Sequence, residues 1–214
     1  MVVYKDWLEE ARDRQWPENE KRELEKRNIK IWEKTEWRAE AVDLTKEEWN
    51  IFPMEYVTIT HTRSRGCHSH LECFQLMQEL QRKDIVQNKL LDIKHNYYIG
   101  SNLEIYEGRG WLINSSRDPE FAYMDKNSID IAYIGDFSET PPPEKFYKVA
   151  EKVMRFVVGH SVVKDEFKLI PFGQKEPVPG PDVCADIRER YNKYRDDIAP
   201  RGELKVEDNI LNLW

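Results

Sequence analysis

Histidine and cysteine are the side chains with the most chemistry to offer, and their spacing limits what they can do. The five histidines are His61, His68, His70, His95 and His160, and the three cysteines are Cys67, Cys73 and Cys184. Only His68 and His70 stand close together along the chain. A closed zinc site needs four ligands, and no second cluster lies near this pair, so a metal site built on it is not expected. Cys67 and Cys73 are separated by five residues. That spacing suits a small disulfide in an oxidising compartment, and it suits two free thiols equally well. Cys184 stands alone without a base or motif beside it and reads as a buried thiol on a helix.

The elements that must position these residues follow from hydrophobic periodicity. Residues 56–62, YVTITHT, are rich in β-formers and read as a buried strand carrying His61 near its end. A helix is expected over 71–86, with Leu71, Phe74, Leu76, Met77, Leu80 and Ile85 on one apolar face. Strands over 93–99 and 103–107 flank the turn signal Gly100-Ser101-Asn102. The nearly unbroken apolar run 129–135 reads as a core strand, and three prolines, Pro141 to Pro143, stop it. The next helix is expected over 144–158, facing inward through Phe146, Val149, Ala150, Val153 and Val157. A strand over 167–172, a rigid turn at 177–181 and a last helix over 182–194, capped by Asp182, complete the pattern. Strands alternating with helices imply an α/β sheet covered by helices.

A chain of 214 residues fits one domain with an extension. Residues 1–30 form a charged segment, helical or disordered, with Trp7 and Trp16 as its apolar anchors. The expected globular domain is 31–195, followed by a tail over 196–214. A net charge of −7 argues against nucleic acid as the main partner. No apolar run is long enough to span a bilayer, and no signal peptide is legible at the start. A cytoplasmic form and an ectodomain of a membrane protein both fit that start, and an oxidised cysteine pair favours an extracellular setting.

The segments EIYEGRGW (104–111) and IDIAYIGDF (129–137) resemble those of peptidoglycan recognition proteins. So do the strand ending in His61-Thr62, the Cys-x5-Cys loop, the Asp92-Ile93-x-x-Asn96-Tyr97 segment, Gly173-Gln174 and Pro179-Gly180, all in the family's order. The resemblance covers roughly 31–194. It implies an α/β fold with a central, mainly mixed β-sheet flanked by helices, of the zinc-amidase (phage lysozyme-amidase) type. It also implies that Cys67 and Cys73 are bonded.

Enzymes of this family hold zinc with two His and one Cys and leave one position for water, whose lowered pKa supplies a hydroxide at neutral pH. The resemblance places the first ligand position in Ile59-Thr60-His61-Thr62 at Thr60. It places the second in Pro171-Phe172-Gly173-Gln174 at Phe172, and the third in Val178-Pro179-Gly180 at Val178. A weak hydroxyl and two hydrocarbons do not bind zinc, so neither metal nor any other cofactor is expected, and no residue is assigned a catalytic role. The family's helper tyrosine is replaced by His95, and its helper Thr or Lys by Glu176.

The ligand groove implied by the resemblance contains His61, Thr62, His95, Tyr97, Trp111 and Arg117. Trp111 and Tyr97 would supply stacking surface, and Arg117 or Lys94 would pair with stem-peptide carboxylates. His61 and His95 are expected to approach each other at the floor. Lys89-Leu90-Leu91 before Asp92 matches neither of the family's peptide-type signatures, and Asp130 stands where a small Gly is usual. The expected function is therefore a non-catalytic regulator or co-receptor in innate immune signalling. A receptor that binds peptidoglycan fragments directly is the alternative, and a residual zinc N-acetylmuramoyl-L-alanine amidase a minor one. The expected partners are peptidoglycan fragments, another peptidoglycan recognition protein or a second copy.

Overall fold

The computed structural model describes residues 30–43, 46, 48–116, 119–159, 161–173 and 178–179. The charged N-terminal segment, the helix expected over 182–194, the tail, Arg117, His160, Glu176 and Cys184 lie outside the described residues.

Among the described residues seven strands form one mixed sheet. They are β1 (Ile31–Trp32), β2 (Met54–His61), β3 (Tyr97–Ile99), β4 (Ile105–Glu107), β5 (Ser128–Tyr133), β6 (Val163–Ile170) and β7 (Val178–Pro179). Their order across the sheet is β1-β4-β3-β5-β2-β6-β7. The central strand β2 runs parallel to β5 on one side and β6 on the other. The hairpin β3–β4 and the pair β6–β7 are antiparallel. Helix α1 (His70–Val86) covers part of one face and α2 (Glu144–Gly159) covers the other.

Period-two alternation sorts the side chains between the two faces. Val57, Ile59, Tyr97, Ile129 and Ile131 join the α2 residues Phe146, Val149, Val153 and Val157 in one core cluster. Tyr98, Tyr106 and Ala132 join Leu76, Met77 and Leu80 of α1 in the other. The expected inward face of α2 is thus the observed one, because that helix packs on an almost wholly apolar surface.

The apolar face of α1 differs from the periodic reading. Leu71 is 63% exposed, while Cys73, Gln81 and Asp84 are buried. Covalent and polar ties decide this rotation. Cys73 is bonded to Cys67, and Gln81 Nε2 donates to Asp92 Oδ1 at 2.8 Å. Ser69 caps the helix start in a reciprocal capping box with Glu72, which satisfies two otherwise unpaired backbone donors.

The strand expected over 93–99 is also shorter and begins at Tyr97. Residues 92–96 give their backbone groups to non-ladder partners instead. Ile93 N–H donates to the Asp92 carboxylate, Lys94 N–H to Asp84 and His95 N–H to the Tyr98 hydroxyl. The carbonyls of His95 and Asn96 accept from Arg109 and Gly108. Gly108 permits this approach: a Cβ there would stand 2.2 Å from the His95 carbonyl oxygen and 2.7 Å from the Tyr98 ring. Gly110 has φ 64°, the left-handed region open to glycine.

Between these glycines, Arg109 is 5% exposed. Its guanidinium donates to the carbonyls of Ile93 (2.6 Å), Asn114 (3.1 Å) and Asp92 (3.3 Å). The Gly-Arg-Gly turn is therefore a clamp on the loop that carries His95.

Candidate functional site

On its α1 side the sheet is only partly covered. Thr58 and Thr60 on β2 and Asp130, the β5 partner of Thr58, face the uncovered part. A cleft of about 550 Å³ opens over them. The end of α1 contributes Leu80, Lys83 and Asp84 to its walls, followed by Asn88. The clamped loop contributes Lys94 and His95, and Ser116, Glu120 and Phe121 come from the segment before β5. Ile170, Phe172 and Gly173 close the β6 side.

His61 and Thr62 at the end of β2 line this cleft, as does His95. Tyr97 and Trp111 do not. Tyr97 is fully buried on the α2 face, one residue out of phase with Tyr98, which does reach the cleft. Trp111 is 8% exposed and stacks on Phe156 of α2, with ring centroids 5.6 Å apart and planes at 15°. The aromatic surface expected from these two residues is thus core packing. Alternation along β3 carries the signal for Tyr98; for Trp111, whose partner lies on α2, local sequence carries none.

His61 and His95 share the cleft but make separate contacts. The Asp130 carboxylate, 6% exposed on its side chain, lies 3.6 Å from His95 Nδ1 and accepts the Thr58 hydroxyl proton. The Asp130 backbone N–H donates to Asn96 Oδ1 at 2.8 Å, and Asn96 Nδ2 donates to the carbonyls of Gly110 and Ile113. The polar residues of the 92–96 loop thus divide their work. Asp92 and Asn96 hold the loop, and His95 faces the ligand space.

His61 Nδ1 accepts the Phe137 backbone N–H at 2.9 Å, with Asp136 Oδ1 at 3.7 Å. A neutral imidazole accepts at one nitrogen only. The bond to Phe137 therefore leaves the proton on Nε2, and the 3.4 Å approach of Arg63 Nε to Nε2 is a contact rather than a second accepted bond. Burial lowers the His61 pKa below the ordinary 6.5, Arg63 lowers it further, and Asp136 partly opposes both. His61 is accordingly a ring that carries its proton on Nε2 when neutral. The sign for stability follows. In the window from 6.5 down to the lowered folded value, the unfolded chain binds the proton that the folded chain refuses, so stability falls as pH falls through it. Nitrogen-15 NMR of the ring is expected to show the Nε2–H tautomer giving way to the protonated ring at a lower pH than in an ordinary histidine.

Thr60 and Phe172, at two of the inferred zinc-ligand positions, both line the cleft. The backbone of Val178, at the third, pairs with Leu169 beside it. Among the described residues no three His, Cys, Asp or Glu side chains converge to hold a metal ion. Cys67 and Cys73 form a disulfide with 5.1 Å between their Cα atoms.

The mixed sheet with its open cleft defines an amidase-type α/β domain. Residues 51–172 match the sequence model of the N-acetylmuramoyl-L-alanine amidase family, Amidase_2, and the chain belongs to that family. The relatives it matches are named peptidoglycan recognition proteins. Rat peptidoglycan recognition protein 1 is 26% identical over 164 residues, 76% of this chain and 87% of the relative. Peptidoglycan-recognition protein SD of Drosophila melanogaster is 28% identical over 168 residues, 72% and 89% of the two chains. Among solved structures, human PGRP-IBETAC in complex with glycosamyl muramyl pentapeptide superposes with a TM-score of 0.60 at 26% identity, over 66% of this chain and 82% of that one. The ectodomain of the Drosophila transmembrane receptor PGRP-LCa gives 0.61 at 25% identity, over 65% and 82%. Among the described residues no helix is long and apolar enough to cross a membrane.

Proposed function

We propose that this chain is a non-catalytic peptidoglycan recognition protein that acts in innate immune signalling as a regulator or co-receptor with an altered groove. The supporting observation is the donor set of the cleft. Two of the three positions inferred to hold zinc present a threonine and a phenylalanine to the ligand space, and the third is Val178. Zinc coordination takes nitrogen, sulfur or carboxylate oxygen. These three side chains do not fit the ion, and no chemical step is derived through it. The Cys67–Cys73 disulfide supports an extracellular or ectodomain setting.

A second reading, direct capture of peptidoglycan fragments, is favoured by the cleft itself. Its volume of about 550 Å³ falls in the range of small-molecule sites. Its lining mixes cations, carboxylates and apolar side chains, and a similar solved structure carries a glycosamyl muramyl pentapeptide.

A pull-down on insoluble diaminopimelic-type and lysine-type peptidoglycan separates the two readings. The regulator reading expects little retention on either, together with association with itself or with another recognition protein. Firm retention that is lost in His95→Ala supports direct capture instead. Retention by neither material combined with a strictly monomeric, partnerless chain contradicts both.

A further inference from the structure

Asn114 sets sequence and fold against each other. Asn114-Ser115-Ser116 is the one N-x-S/T triplet in the chain. That pattern is the acceptor for an N-linked oligosaccharide, and an acceptor asparagine belongs on an exposed loop. Here Asn114 is 8% exposed and Ser115 is buried beside it. Both ends of the Asn114 side-chain amide are engaged. Its Nδ2 donates to the Asp125 carboxylate, and its Oδ1 accepts the Lys126 backbone N–H at 3.2 Å. Its backbone is held as well. The N–H donates to the Glu48 carbonyl at 2.7 Å, and the carbonyl accepts from Arg109 at 3.1 Å. On either side, Ile113 bridges Trp49, and Ser116 N–H donates to the Lys94 carbonyl at 3.1 Å.

Most of these partners lie far from the triplet along the chain. The triplet is therefore enclosed only after the strands and loops that carry Glu48, Lys94 and Asp125 have come together. Before that it is a short polar stretch open to an enzyme. The Cys67–Cys73 disulfide places the chain in an oxidising compartment, the setting in which such triplets are modified.

We propose that Asn114 is an N-glycan acceptor in the unfolded chain alone, so that modification and folding compete for this residue. The donor class is an oligosaccharide carried on a lipid diphosphate. The bond from Nδ2 to the sugar C1 forms as the bond from C1 to the diphosphate breaks. Nδ2 gives up one proton, and the lipid diphosphate leaves. The modified amide keeps one N–H, and the sugar takes the place of the other hydrogen. The enclosed site has no room for it, so a modified chain loses the ties to Asp125 and Lys126 and displaces a carbonyl that the Arg109 clamp needs. A chain that folds first keeps Asn114 bare. The proposal rests on the extracellular setting and on neither ligand reading.

The test offers the purified full chain and a lipid-linked oligosaccharide to an oligosaccharyltransferase, once in native form and once reduced and unfolded, and follows the mass. The unfolded chain is expected to gain one glycan at Asn114. The native chain is expected to gain it more slowly by about a hundredfold or more, because only locally opened molecules react. Ser116→Ala is expected to abolish the gain in the unfolded chain while leaving the bonds of Asn114 in place. Returned to oxidising native conditions, the modified chain is expected to lack the amide-exchange protection of residues 92–96 and 111–116 that the unmodified chain shows. An unfolded chain that gains no glycan overturns the acceptor. A native chain modified as fast as the unfolded one, or a modified chain with full protection, overturns the competition. The two rates decide the matter whatever the refolding yield.

Discussion

Thr60→His, Phe172→His and Val178→Cys, combined in one variant, are expected to give a protein that keeps about one equivalent of zinc after dialysis. Thr60 and Phe172 already face one cleft, and the β7 backbone carries Val178 alongside Leu169, next to Ile170 in that wall. Two imidazoles and a thiolate there would reproduce a three-ligand set with one open position. Because metal that binds only the folded state stabilises it, the variant is expected to gain about 2.7 kcal/mol at a free zinc concentration of about 100 times its dissociation constant. The parent chain is expected to gain nothing. Elemental analysis with denaturant titrations in zinc and in chelator reads both effects. A parent protein isolated with a full equivalent of zinc would contradict the assignment of these positions.

Arg109→Ala carries the largest expected cost to stability, about 3 kcal/mol, because hydrogen bonds to a charged group contribute more than neutral ones and buried acceptors are left unmet. Three carbonyls lose their donor at once, those of Asp92, Ile93 and Asn114. Arg109→Lys is expected to recover little, since one ammonium cannot reproduce a planar fork spread over three acceptors. The same variants are expected to loosen the 92–96 loop and with it His95, so any ligand binding should weaken more than the global loss alone explains. Denaturant midpoints measure the first effect, and amide hydrogen exchange over residues 92–96 measures the second.

The five longer strands, both described helices and the order of the motifs were legible because they rest on local signals, whereas the two-residue strands β1 and β7, the latter within the turn expected over 177–181, were not. The β-rich run that became β2 and the inward face of α2 needed only periodicity. Residues whose roles depend on distant partners were not legible. Trp111 lies against Phe156, 45 residues on, and its burial follows from α2 crossing that face. Tyr97 and Tyr98 are adjacent aromatics, and only the strand register decides which one enters the cleft. Asn96 falls inside the strand expected over 93–99, yet it and Asp92 bond backbone groups through their side chains, and the strand starts only at Tyr97. The contact of His95 with Asp130 joins a loop to a strand and has no short-range signature. The site's chemistry was thus legible by residue type, and its geometry only through the fold.

The most direct test of the non-catalytic reading is mass spectrometry of a muramyl pentapeptide incubated with the full chain and added zinc. The account predicts that the amide between the lactyl group and the peptide stays intact, with no more product than zinc in buffer alone yields. Release of free stem peptide in proportion to protein concentration would contradict it.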